Sequence, residues 1–166
     1  MKKHIFLLAF VLTAFFGTVA AQSNASLRNL DVECLGVEHD GSQTLRATGL
    51  GRNKSDAVEQ AKKNAVMVVL FAGVRGGKGG CDVRPIVCEP NAREKYARYF
   101  DIFFADNGEY LKYTSMIDKR LGSNQKQKGK IEVSYRVTVR VLNSSLRERL
   151  ISDGIIPKET LYDVKY

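Results

Sequence analysis

Residues 43–73, QTLRATGLGRNKSDAVEQAKKNAVMVVLFAG, change hydrophobic period part-way through. Gln43 to Gly49 reads as a short strand. Beyond it, Ala57, Val58, Ala61, Ala65, Val68, Val69 and Ala72 recur at three- and four-residue steps, the period of one buried helix face. Asn53 or Ser55 caps this helix, Asp56 lies near its positive end, and Gly73 ends it. Its alanines are small enough for the helix to lie close on a sheet. Upstream, Val32 to Val37 forms another strand. His39-Asp40-Gly41-Ser42 joins the two, and Asp-Gly is a strong hairpin-turn dipeptide.

Downstream, residues 73–91 (GVRGGKGGCDVRPIVCEPN) hold five glycines, two prolines and two cysteines. This predicts a long loop, and long loops inside compact domains are usually functional or mobile. A second helix is expected from Ala92 to about Ala105, with Tyr96, Phe100 and Phe103 on one side and Arg93, Lys95 and Arg98 facing out. Asp106-Asn107-Gly108 closes it. Tyr110 to Ile117 reads as a strand, Lys119 to Lys130 (KRLGSNQKQKGK) as a basic turn, and Ile131 to Val141 as the most regular strand. On that last strand Ile131, Val133, Tyr135, Val137, Val139 and Val141 share one face, and Glu132, Ser134, Arg136, Thr138 and Arg140 the other. One buried and one wet face mark an antiparallel sheet. Asn143 or Ser144 opens a short helix with Leu146, Leu150 and Ile151 inward. Gly154 stands at a left-handed cap, from which Ile155 reaches back to Leu150. The chain is therefore expected to be an α+β domain: a mainly antiparallel sheet, one long Ala-rich helix, and a second helix packed on one face.

The first 21 residues carry export signals. Lys2 and Lys3 form a positive start, Ile5 to Phe16 is an apolar run, and Val19-Ala20-Ala21 presents the small residues a signal peptidase needs. A membrane-spanning helix takes about 20 apolar residues, so the expectation is a cleaved signal peptide, 1–21, and a single domain, 22–166, that does not span a membrane. No cysteine stands at the junction for lipid attachment. The short positive start points to a bacterial source and a periplasmic or secreted product. Removing Lys2 and Lys3 takes the formal charge from +8 to +6. A basic surface attracts anionic partners, and outside the cytoplasm these are lipid head groups, acidic glycans or acidic proteins. Nucleic acid is not expected.

An oxidising compartment permits disulfides. Cys81 and Cys88 enclose a short loop, and bridging them is worth about 2.5 kcal/mol of chain entropy. Cys34 is then odd, a buried thiol or an intermolecular link. Spacing alone leaves open a bridge from Cys34 to either of the others.

Ala47-Thr48-Gly49-Leu50-Gly51 with Ala57, Ala61 and Ala65 on the following helix resembles a small exported bacterial domain family. Its settings are the N-terminal domain of the flagellar assembly protein T and a group of small outer-membrane lipoproteins. The resemblance spans roughly Gln43 to Leu150, with alternating strands such as Ile131 to Val141 and a leucine-bearing segment after them. It implies a periplasmic assembly or scaffolding role without catalysis, and carries over no functional residues. The absent lipoprotein cysteine and the Gly-rich cysteine loop depart from the family pattern.

Several motifs that look chemical fail on residue type. A P-loop needs G-x-x-x-x-G-K-[ST]. Here Lys78 follows Gly77, but Ala72 takes the first glycine position and Gly79 the hydroxyl position. In Gly49-Leu50-Gly51 the third glycine of a dinucleotide fingerprint is Lys54, and tight-turn geometry accounts for the glycines. Zinc would need all three cysteines and His39, without a C-x-x-C unit. Asp101, Asp106 and Glu109 offer paired carboxylates, yet Asp106 stops a helix and the chain has no Trp to stack on a sugar. No cofactor, metal or catalytic set is expected.

The residue set that remains is basic. Lys119, Arg120, Lys126, Lys128 and Lys130 gather on one connection, and Arg136 and Arg140 extend it down the wet strand face. The expected function is an exported, non-catalytic binding or assembly component of the cell envelope, docking an anionic surface or envelope protein through this basic hairpin and the Gly-rich loop. Two alternatives stand beside it: a small secreted hydrolase using His39 and Asp101, and a secreted inhibitor presenting a Cys81–Cys88 loop.

Overall fold

A computed structural model of the chain describes Leu27 and residues 30–117 and 133–158. The expected signal peptide, the basic turn 119–130 and the tail beyond Lys158 lie outside the described residues. The rest is α+β, as the periodicities imply. Strand β1 (Val32–Val37) turns through Gly41, at φ +76°, into β2 (Gln43–Gly51). Helix α1 (Lys54–Phe71) follows, then the two-residue β3 (Gly76–Gly77), α2 (Ala92–Lys95) and α3 (Ala97–Phe103). A 3-10 turn over Glu109–Tyr113 leads to β4 (Thr114–Met116), and β5 (Val133–Val141) and α4 (Asn143–Ser152) complete the order. The sheet runs β3-β1-β2-β5-β4. Among the described residues only the β1–β3 pair is parallel.

Asn53 caps α1, its Oδ1 accepting the Asp56 N–H at 3.0 Å. The helix crosses β2 and β5 with Ala57, Ala61 and Ala65 fully buried, and Ala61 and Ala65 share the core with Leu45, Ala47, Val137 and Val139. The approach is backbone to backbone. A Cβ at Gly49 would stand 2.1 Å from the Ala57 carbonyl and 2.3 Å from the Ala61 nitrogen, and one at Gly51 would meet the Ala57 nitrogen at 2.4 Å. Both glycines lie within a paired strand and neither has a positive φ. Tight-turn geometry is therefore not their reason; they are glycine because α1 occupies the space a side chain would need. Buried Asn64 fastens the same contact, donating from Nδ2 to the Thr48 carbonyl at 2.9 Å.

The far side of the core is aromatic. Phe100 meets Phe71 edge-on at 4.8 Å, and Phe103 stacks on Tyr113 at 6.0 Å. This explains why Tyr110 to Tyr113 is a 3-10 turn and not the expected strand. A three-residue repeat puts Tyr110 and Tyr113 on one side, with Tyr110 fully buried and its hydroxyl reaching Glu59 on α1. The expected helix from Ala92 to Ala105 is two pieces, interrupted at Tyr96 (φ −110°, ψ 32°). On β5, Val137, Val139 and Val141 are buried, but Val133 and Tyr135 are half-exposed. They stand opposite Gly51 and Gly49, where Lys54 covers the Tyr135 ring at 5.5 Å. After α4, Gly154 takes φ +70° and the Ile155 N–H bonds to the Leu150 carbonyl at 2.9 Å, as expected.

The Gly-rich segment is a strap. Its ends are tied together by the Val74 N–H on the Asp82 carbonyl at 2.8 Å. Between them, Gly77 and Gly79 lie so close on β1 that a Cβ would come within 2.2 Å of the Cys34 carbonyl and 2.4 Å of the Gly36 nitrogen. That seating brings Cys81 to Cys34, and these two form the disulfide, with Cα atoms 5.8 Å apart and both residues buried. The expected Cys81–Cys88 bridge is thereby corrected. Ile86 and Val87 are buried with their N–H groups on the Val69 and Leu70 carbonyls, which takes the chain to the end of α1 and leaves Cys88 an exposed free thiol.

The Cys34–Cys81 bridge closes a loop of 47 residues, for which chain entropy predicts about 4 kcal/mol of stabilisation. Denaturant unfolding of a Cys34→Ser/Cys81→Ser variant should show a loss of that order, and Cys88→Ser a change within about 0.5 kcal/mol. Equal losses from the two would contradict the assignment.

Candidate functional site

The sheet face turned away from α1 carries the residues the sequence singled out. Register places Thr44 opposite Arg140, Arg46 opposite Thr138 and Thr48 opposite Arg136. Each arginine is committed inside the molecule. Arg136 donates from Nη2 to Asp31 Oδ2 at 2.6 Å and from Nε to Thr48 Oγ1 at 3.2 Å, while the Thr48 hydroxyl donates to the same Asp31 oxygen. Arg140 donates to Ser42 Oγ at 2.6 Å and to Asp40 Oδ2 at 2.9 Å. Arg46 pairs with Glu33 at 3.1 Å. The hydroxyl and N–H of Ser42, followed by Arg140, hold the Asp40 carboxyl down at about 2. The Thr48 hydroxyl, with Arg136 and Arg46, lowers Asp31. These clamps fasten the β1–β2 turn and the entry to β1 onto β5, so Arg136 and Arg140 hold the fold and do not extend an uncompensated basic surface.

Lys119, Arg120, Lys126, Lys128 and Lys130 lie outside the described residues. In sequence they fall between β4 and β5, which are antiparallel neighbours at one side of the sheet. Arg75 and Lys78 are exposed on the strap at the other side.

A polar groove of about 400 Å³, which sequence reasoning did not find, runs between the first half of α1 and the turn after α3. Leu50, Arg52, Asp56, Glu59, Lys63 and Asp106 line it with others. Lys63 reaches Asp106 at 2.8 Å and lies 5.6 Å over the Tyr110 ring, and Arg52 pairs with Asp56 at 2.8 Å. The hydrogen bond from Lys63 lowers Asp106, while burial and then the bond to Glu59 raise the Tyr110 phenol. Glu59 pairs with Lys62 at 3.4 Å, so each charge named here has an opposite partner and the groove offers hydrogen-bonding surface. Lys63 and Asp106 are 43 positions apart, and no local spacing announces their meeting.

The other candidates are dispersed. Glu109 pairs with Lys112 at 3.0 Å and Arg149 at 3.1 Å, and Asp101 is exposed on α3. They do not join Asp106 in one carboxylate set. His39 is exposed in the β1–β2 turn. Among the described residues no group of His, Cys, Asp and Glu is arranged to hold a metal ion, and no helix is long and apolar enough to cross a membrane. No protein-family model matches the chain, and neither a curated protein nor a solved structure matches it.

The depressed carboxyls set a pH dependence. A carboxyl lowered in the folded state contributes stability that is complete above its unfolded value of about 3.9. That contribution is lost as pH falls through the folded value, about 2 for Asp40. The thermal midpoint should therefore fall between pH about 4 and 2. Asp40→Asn should lower the midpoint at pH 7 and shrink the fall over that window. An unchanged fall in the variant would show that the Asp40 clamp is not part of the folded state.

Proposed function

We propose that this chain is an exported, non-catalytic binding or assembly component of the bacterial cell envelope, docking an anionic partner through the basic connection between β4 and β5. One observation carries the reading most of the way. β4 and β5 are adjacent antiparallel strands, and Lys119, Arg120, Lys126, Lys128 and Lys130 fall between them in sequence, which supports a basic connection as the docking element. The partner class that follows is an envelope protein with an acidic face, or a lipid head group or acidic glycan surface. The Cys34–Cys81 bridge is what an oxidising compartment outside the cytoplasm favours, and supports export alongside the signal-like start. The resemblance to the flagellar assembly protein T domain family supports an assembly role.

In this reading Arg136 and Arg140 are structural, and the docking charge rests on the hairpin lysines with Arg75 and Lys78 as the strap's contribution. The hydrolase alternative finds no support among the described residues, since His39 and Asp101 lie on separate exposed elements. The inhibitor alternative required a Cys81–Cys88 loop, and Cys81 is bonded elsewhere.

Reversing charge at Lys126, Lys128 and Lys130 should reduce recovery of partner from the chain's own envelope fraction by about tenfold or more at low salt. Raising the salt should remove most of the wild-type signal as well. Equal recovery by wild type and the reversed variant would contradict the proposal.

A further inference from the structure

Three elements bring polar side chains together at one place. Gln43 opens β2, Asn143 opens α4, and Asp82 stands at the closing end of the strap. Gln43 is 1% exposed and Asn143 9%. Both amides donate to the same atom, Asp82 Oδ2, Gln43 Nε2 at 2.8 Å and Asn143 Nδ2 at 3.4 Å. Those bonds decide which way each amide points, because turning either one would set its oxygen against the carboxylate. Gln43 Oε1 and Asn143 Oδ1 are thereby left buried, and no donor among the described residues reaches them.

A buried acceptor without a partner costs about 1–3 kcal/mol, and two of them beside one carboxylate call for a common explanation. Water does not supply it. A water stands about 2.7 Å or more from an oxygen acceptor, and less than 1 Å² of either amide oxygen is open to one. A dehydrated calcium ion stands closer, at about 2.3–2.6 Å, and takes amide and carboxylate oxygens together. Asp82 supplies the negative charge and is itself exposed, so solvent completes the shell on that side. It is also firmly placed: its carbonyl accepts from the Val74 N–H at 2.8 Å, and its neighbour Cys81 is bonded to Cys34.

We propose that Gln43 Oε1, Asn143 Oδ1 and the Asp82 carboxylate form a calcium site that fastens the strap to the starts of β2 and α4. Only one of the three ligands is a carboxylate, so the site is no cluster of His, Cys, Asp or Glu. With a single negative charge, and with the positive end of α4 at Asn143, the affinity belongs to the weak class of extracellular calcium modules, about 0.1–1 mM. The site is independent of the anionic docking role.

The test takes the chain from residue 22 to 166 with its disulfide intact, strips it with EDTA, and titrates it with calcium chloride by calorimetry. One saturable site with a Kd of about 0.1–1 mM is expected. Calcium at about 10 mM, against sodium chloride of equal ionic strength, should lower the unfolding constant by about 10- to 100-fold. Magnesium should bind at least about tenfold more weakly, because it demands shorter contacts in octahedral geometry. Asp82→Asn should abolish the calcium response, and Asn143→Asp, which adds a second carboxylate, should raise the affinity at least about tenfold. Wild type without a saturable calcium site overturns the proposal. So does a calcium response that Asp82→Asn retains, or magnesium acting as strongly as calcium. Should Asp82→Asn fail to fold, Asn143→Asp decides, and an affinity unchanged by its added charge overturns the proposal equally.

Discussion

The structure depends on how closely α1 approaches β2. At Gly49 and Gly51 the first turns of the helix lie directly on strand backbone, leaving no room for even a methyl group. That contact sets the height of the helix above the sheet. Ala57, Ala61 and Ala65 follow from it, since larger side chains on that stripe would lift the helix away, and close packing makes such a change costly. The valines of β5 and the leucines of α4 then fill the remaining core. Asn64, reaching the Thr48 carbonyl, fixes the helix along the strand as well as above it.

The same device recurs at the other end of the sheet with a different consequence. Glycines let the strap lie on β1 as closely as α1 lies on β2, and the disulfide makes the closure covalent. Asp82 ties the strap back to the core by accepting from Gln43 Nε2 at 2.8 Å and Asn143 Nδ2 at 3.4 Å. On the outer face, three arginines are each spent on a neighbouring acid. Surface pairs of this kind add little stability one by one, but here they fasten the β1–β2 turn and the entry to β1 onto their neighbouring strands. A basic chain thus keeps a charge-matched sheet face.

Much of this was legible in the sequence, because burial imposes period on apolar residues. The hairpin over Val32 to Gly49, the Ala-lined helix, the strand ending at Val141 and the Gly154 cap all follow from local pattern. What was misread depends on partners distant in sequence. A glycine required by positive φ and a glycine required by a neighbouring backbone look identical, so Gly49 and Gly51 passed for turn residues. Cysteine pairing hangs on where the strap seats, which no spacing encodes, and nearness in sequence favours Cys88 over the Cys34 that the strap meets. Tyr110 and Tyr113 read as strand because their shared side is created by Glu59 and Phe103 from other elements. The groove between α1 and Asp106 was invisible for the same reason.

The most direct test of the account compares two glycine substitutions by denaturant unfolding. Gly49→Ala puts a methyl group where the Ala57 carbonyl stands, whereas a Cβ at Gly36 meets nothing within 4 Å. The account predicts that Gly49→Ala costs about 3 kcal/mol or more, or prevents folding, and that Gly36→Ala stays within about 1 kcal/mol of wild type. A Gly49→Ala protein as stable as wild type would mean that α1 does not rest on the β2 backbone, and the packing described here would be wrong at its centre.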